Sequence, residues 1–171
     1  MLTTLFRYKA WANAQMLEAL AGIDGERHPE DLRKAVRTLN HTYVVDRIFA
    51  AHLSGTTHAY AATNTEQTPE LGALAGDIGA SDQWYVDHAR SQAPDRLGER
   101  IGFRFTDGKP GSMSRGEMLA HVLAHGAYHR GQVGTILAKL SLTPPADTVA
   151  GYLHRAEPER RGSVAGQEDR Q

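Results

Sequence analysis

The sequence predicts an all-α fold, a four-helix bundle interrupted by one short β excursion before its last helix. Three observations point there. Four segments of 18 residues or more space their apolar residues three and four apart, as amphipathic helices do. Glycine or proline stands at most of their ends. Only one short stretch alternates apolar and polar residues, too little for a sheet protein.

The first helix is expected from Leu2 to Leu20, carried by Leu5, Tyr8, Ala12, Met16 and Leu20, with Gly22 placed to stop it. The second runs from Pro29, suited to a first helical turn, to about Leu53, with Gly55 at its far end. Thr68-Pro69-Glu70 opens the third, which continues towards Ala93 before Pro94. It is the weakest of the four, because Gly72, Gly76 and Gly79 each cost about 1 kcal/mol relative to alanine in a helix interior. Ile101 to Phe105 reads as a strand, Asp107-Gly108 as a turn and Gly111 to Met113 as the returning strand. Ser114-Arg115-Gly116-Glu117 fits a capping box, in which serine and glutamate satisfy each other's backbone amides, so the fourth helix starts there and ends near Leu140, before Pro144-Pro145. One domain is expected over residues 1–156, and residues 157–171 read as a polar, disordered tail.

At 171 residues the chain supports one domain with a real core. A net charge of −1 with scattered basic residues gives no electrostatic footprint for nucleic acid. The absence of cysteine removes disulfides, thiolate ligands and any sulfur nucleophile of the chain's own. The N-terminus lacks the pattern of a signal peptide, and no apolar run approaches the ~20 residues of a membrane span. These readings set the expectation of a cytoplasmic protein that acts on a small molecule, with no nucleic-acid or membrane partner.

Histidine is the unusual residue, with nine in the chain. On a wheel of 100° per residue, Met118, Val122, His125, His129, Ile136 and Leu140 share a stripe roughly 60° wide. His125 and His129 thus stand where leucines are expected, one turn apart on the same face. Buried unpaired, each ring costs on the order of 1–3 kcal/mol, a need that a shared metal ion answers. His121 has the same spacing from His125 but lies about 80° from His129, at the stripe's edge. Hydrogen bonding to a carbonyl or carboxylate is the plainer role for a lone core histidine. A third ligand has to come from another helix, and the second offers His41 and His52. Eleven residues separate them, ~16 Å along a helix, so at most one belongs to the site, and periodicity leaves that choice open. No glutamate follows His125, so the HExxH pattern of zinc proteases is absent.

The stretch His121-Val122-Leu123-Ala124-His125-Gly126-Ala127-Tyr128-His129-Arg130-Gly131-Gln132 resembles the last-helix signature of the DinB/YfiT-like superfamily. Tyr8-Lys9-Ala10-Trp11-Ala12-Asn13 resembles its first-helix motif, and Leu39-Asn40-His41 falls where its second-helix histidine is expected. The resemblance spans about residues 1–153. It implies a long crossover in the bundle, a nickel- or zinc-type ion held by His41, His125 and His129, and homodimers in many members. It also implies thiol-dependent transferases and isomerases among similar proteins. Trp11 is read first as a core anchor, Arg130 as a salt-bridge or interface residue, and Gln132 as a neighbour of the site. Asn13 and Asn40 are read as capping, packing or site-supporting residues.

Three neutral histidines leave open coordination positions, the mark of a catalytic rather than a closed structural site. Hydrolysis fits, as does transfer or isomerisation with a low-molecular-weight thiol as co-substrate; a non-enzymatic metal-binding or stress-response protein is the alternative. Asp46 and Glu117 are carboxylates on the right helices, but nothing marks either as a general base. Because histidine ligands must be neutral, metal loading is expected to fall as pH drops through the range around ~6.5, which metal analysis of protein equilibrated across pH checks.

Overall fold

The computed structural model describes residues 1–162, which are mainly helical with one small antiparallel sheet. The helices are α1 (Leu2–Ala21), α2 (Pro29–Ser54), α3 (Leu71–Ser91), α4 (Arg115–Lys139) and α5 (Val149–Ala156). Strands β1 (Arg100–Arg104) and β2 (Pro110–Ser114) pair between α3 and α4, with Ile101 opposite Met113 and Phe103 opposite Gly111. No helix among the described residues is long and apolar enough to cross a membrane.

The expected boundaries fall close to these elements. Gly55 closes α2 at φ 68°, a left-handed conformation that favours glycine. Ser114 and Glu117 form the reciprocal capping box at the start of α4. α3 forms despite its glycines because Leu74, Ile78, Tyr85, Val86 and Ala89 bury a continuous face, and packing outweighs propensity. α5 is not anticipated by the sequence reading. It is only eight residues long, and it is held by the Thr148 cap and by Tyr152, which packs its ring against Tyr8 and Trp11. Trp11 is therefore half-buried, clamping α5 onto α1, rather than sitting in the core. Of the expected polar tail, Pro158–Arg161 form a short 3-10 turn, and residues 163–171 lie outside the described residues.

Two apolar clusters fix the chain directions. One gathers Phe6, Phe49, Tyr85 and Val122; the other gathers Met16, Leu39, Ile78 and Val133. Each of the four long helices contributes to both, so α2 and α3 run parallel while α1 and α4 run the opposite way. Parallel neighbours cannot be joined by a tight turn. Residues 55–70 therefore return along the flank of α2, bringing Thr63 to His41, and Thr65 and Glu66 to Arg37.

A buried polar layer separates the clusters. The Lys9 ammonium, 1% exposed, lies 2.7 Å from Asp46 and 2.6 Å from Asp82. Asn13 donates to Asp82 and accepts from Arg130, which is equally buried and pairs with Asp147 at 2.8 Å. Burial opposes the charged Lys9, but its two carboxylates outweigh that and raise its pKa. Burial pushes Asp46 up to about 6 against the pull of Lys9. Lys9→Met strands two buried carboxylates, and breaking a buried pair in this way costs about 3–5 kcal/mol. Urea unfolding at pH 8 is expected to show that loss, and the gap to wild type is expected to narrow at pH 5, where the stranded carboxylates take up protons.

Candidate metal centre

α4 buries Met118, Val122 and Ile136 as the wheel assigns, but its buried face extends past them to Leu119, Gly126, Arg130, Val133, Gly134 and Leu137, so the stripe is rotated towards Gly126. The reason lies at Gly126: a side chain there would come within 3.1 Å of the Arg130 guanidinium and 3.5 Å of Lys9, so the glycine admits the polar layer into the core. His125 and His129 are consequently half-buried at the edge of that stripe, facing α2 across the seam.

There they meet His41. Nε2 of His125 lies 3.1 Å from Nε2 of His41 and 3.0 Å from Nε2 of His129. The outer nitrogens are held from behind. Nδ1 of His41 is 2.7 Å from the Thr63 carbonyl of the crossover, and Nδ1 of His129 is 2.8 Å from Oε1 of Gln132, one turn further along α4. A carbonyl oxygen can only accept, so both Nδ1 atoms carry the proton and both Nε2 atoms present lone pairs inward. A neutral His125 has one ring proton and can serve only one of them. Its own Nδ1 is buried without a hydrogen-bond partner among the described residues.

This donor set fits a divalent metal ion. Ligand bonds of ~2.0–2.1 Å at tetrahedral or octahedral angles place neighbouring nitrogens about 2.9–3.4 Å apart, the range of both contacts to His125, and all three donor atoms lie within 4.8 Å of one another. Hydrogen-bonded outer nitrogens are also the usual means of orienting histidine ligands. Protonation is the poorer answer. Burial, then the neighbouring His129 and His41, push His125 down to about 3, and burial lowers His129 as well.

The structure brings together His41, His125 and His129, and leaves the alternatives out. His121 stacks on His125, with ring centroids 5.2 Å apart, and its other contact is Phe49. His52 packs against Phe103, Phe49 and His58. Asp46 is engaged with Lys9, and Glu117 with its cap, so neither serves as a base at this centre. Asn40 donates to Asn64 and Thr65, fastening the crossover beside the site. The part of Thr63 was not legible in the sequence: it acts through a backbone carbonyl, which carries no residue signal. A cleft of about 230 Å³ opens over His41 and His129.

The DinB family model matches residues 1–162. The chain belongs to the DinB family. A curated relative, Protein DinB of Bacillus subtilis (strain 168), is 22% identical over 165 residues, covering 91% of this chain and 95% of the relative. Within this family member, the three histidines lie on α2 and α4, the two helices that face each other across the centre.

The His125 shift also predicts a pH dependence of stability. A histidine whose folded pKa lies below its unfolded value of ~6.5 favours the fold above that value and loses the contribution as pH falls towards 3. Asp46, shifted upward, contributes the opposite slope between about 4 and 6. His125→Gln removes only the first term. Urea midpoints of metal-free protein between pH 7 and pH 5 are expected to fall less steeply in that variant than in wild type.

Proposed function

We propose that this protein is a metal-dependent enzyme of the DinB family, in a four-helix-bundle frame, that holds one nickel or zinc ion through His41, His125 and His129 and acts on a small molecule. The observation that carries this reading is the convergence of three Nε2 atoms, two of them fixed in tautomer from behind, beside an open cleft lined by His41 and His129. A divalent ion supplies Lewis acidity there, lowering the pKa of a water or thiol that reaches it. Hydrolysis and thiol-dependent transfer or isomerisation both suit that chemistry. Since the chain has no cysteine, a reacting thiol arrives as co-substrate.

The chain's own residues hold and orient the ligands. Thr63 and Gln132 fix the protons of His41 and His129 on their outer nitrogens, and depressed histidine basicity keeps the inner nitrogens available as donors. The cleft favours an enzyme over a closed metal-binding module, because a structural site has no use for an opening onto its ligands. The same reading takes the working form as a homodimer in the cytoplasm.

Metal content of untagged protein tests the reading directly. Elemental mass spectrometry is expected to find about one equivalent of nickel, zinc or a similar ion in wild type and almost none in His129→Ala. A wild type that carries no metal and takes up none when it is supplied overturns it.

A further inference from the structure

We infer that the cleft lined by His41 and His129 seats small molecules bearing a carboxylate or phosphate group, with Lys34 and Arg37 as the residues that select for that charge. The inference deepens the metal-enzyme reading and rests on it only for the ligand's second contact, at the metal. The anion contact stands on the charge of the rim.

Lys34, Arg37 and His41 follow one another on α2 at intervals of three and four residues and line the same cleft. Arg37 is one helical turn from His41 and Lys34 two, about 6 and 10 Å of rise. No carboxylate lines the cleft. Asp31, one turn before Lys34 on α2, is engaged with Lys139 at 2.8 Å. Neither Lys34 nor Arg37 has an ion-pair partner among the described residues.

Arg37 is also pre-positioned. Its Nη1 donates to the Thr65 carbonyl at 3.2 Å and the Glu66 carbonyl at 3.5 Å, which fix the guanidinium without neutralising it. Nε and Nη2 make no hydrogen bond among the described residues. A guanidinium with free donors and no counter-ion is suited to a carboxylate or phosphate. Across the cleft, Gln132 uses Oε1 for His129 and leaves its amide N–H groups free as further donors. The volume of about 230 Å³ falls below the ~300–1,000 Å³ of drug-sized pockets, which points to a compact ligand.

The test uses the zinc-loaded full chain and a set of hydroxamates, which bind zinc at one end and differ at the other. Succinic monohydroxamate and its phosphonate-tailed counterpart are compared with the amide-tailed molecule by calorimetry. Wild type is expected to bind a charged tail at least about tenfold tighter than the amide, the scale of one charge-assisted hydrogen bond. The arm with the larger gain distinguishes carboxylate from phosphate. Lys34→Gln with Arg37→Gln is expected to bring the tails close to parity, whatever the affinity for the hydroxamate end common to all three. Because Arg37 also fastens the crossover, Lys34→Gln alone is measured too and is expected to lose part of the preference. Equal affinities in wild type, or a preference that survives the double variant, overturn the inference.

If the chain retains no zinc, the metal reading fails by itself and the rim is tested without it. Inorganic phosphate added to metal-free protein at pH 7.5 is expected to shift the backbone amide resonances of Arg37 and Asn64 saturably, and not in the double variant. No saturable shift overturns the anion site.

Discussion

The Lys9 ammonium between Asp46 and Asp82 is the constraint on which the rest of the structure depends. It draws α1, α2 and α3 to a common point, and the Asn13–Arg130 contact adds α4. Nearly dry charges tolerate little displacement, because each lost contact leaves an uncompensated charge in the interior. The two apolar clusters above and below supply most of the driving force for folding. They are non-directional, and a layer of fixed ion pairs gives the four helices a height relative to one another.

That shared height reaches the cluster of three histidines. His41 lies five residues before Asp46 on α2, while His125 and His129 flank Gly126 on α4, where Lys9 and Arg130 pass. The crossover completes the arrangement. Parallel α2 and α3 require a long return, and this return runs beside α2, placing Thr63 behind His41 and holding Arg37 at the cleft mouth. A topological requirement thereby becomes part of the site.

Much of the frame could be read directly. The Ser114–Glu117 box and Gly55 mark ends by chemistry internal to a few residues, so their signals survive in sequence. α5 escaped because an eight-residue helix packed on Trp11 and Tyr8 is stabilised by partners far away in sequence. The full width of α4's buried face escaped for a related reason. The expected stripe stops short of Arg130, and only the presence of Asp147 and Asn13 makes the burial of that guanidinium tolerable.

The sequence by itself determined the four long helices, the hairpin, the absence of any cysteine thiol of the chain's own and the pairing of His125 with His129 on one helical face. Each depends on local periodicity, capping or composition. Tertiary structure decided that His41 rather than His52 joins them, that a backbone carbonyl and Gln132 fix the tautomers, and that Lys34 and Arg37 stand unneutralised over the same cleft. Those outcomes turn on distances between segments far apart in the chain, 84 residues for His41 and His125, set by the packing of helices around a buried charge layer. No local pattern encodes such a distance.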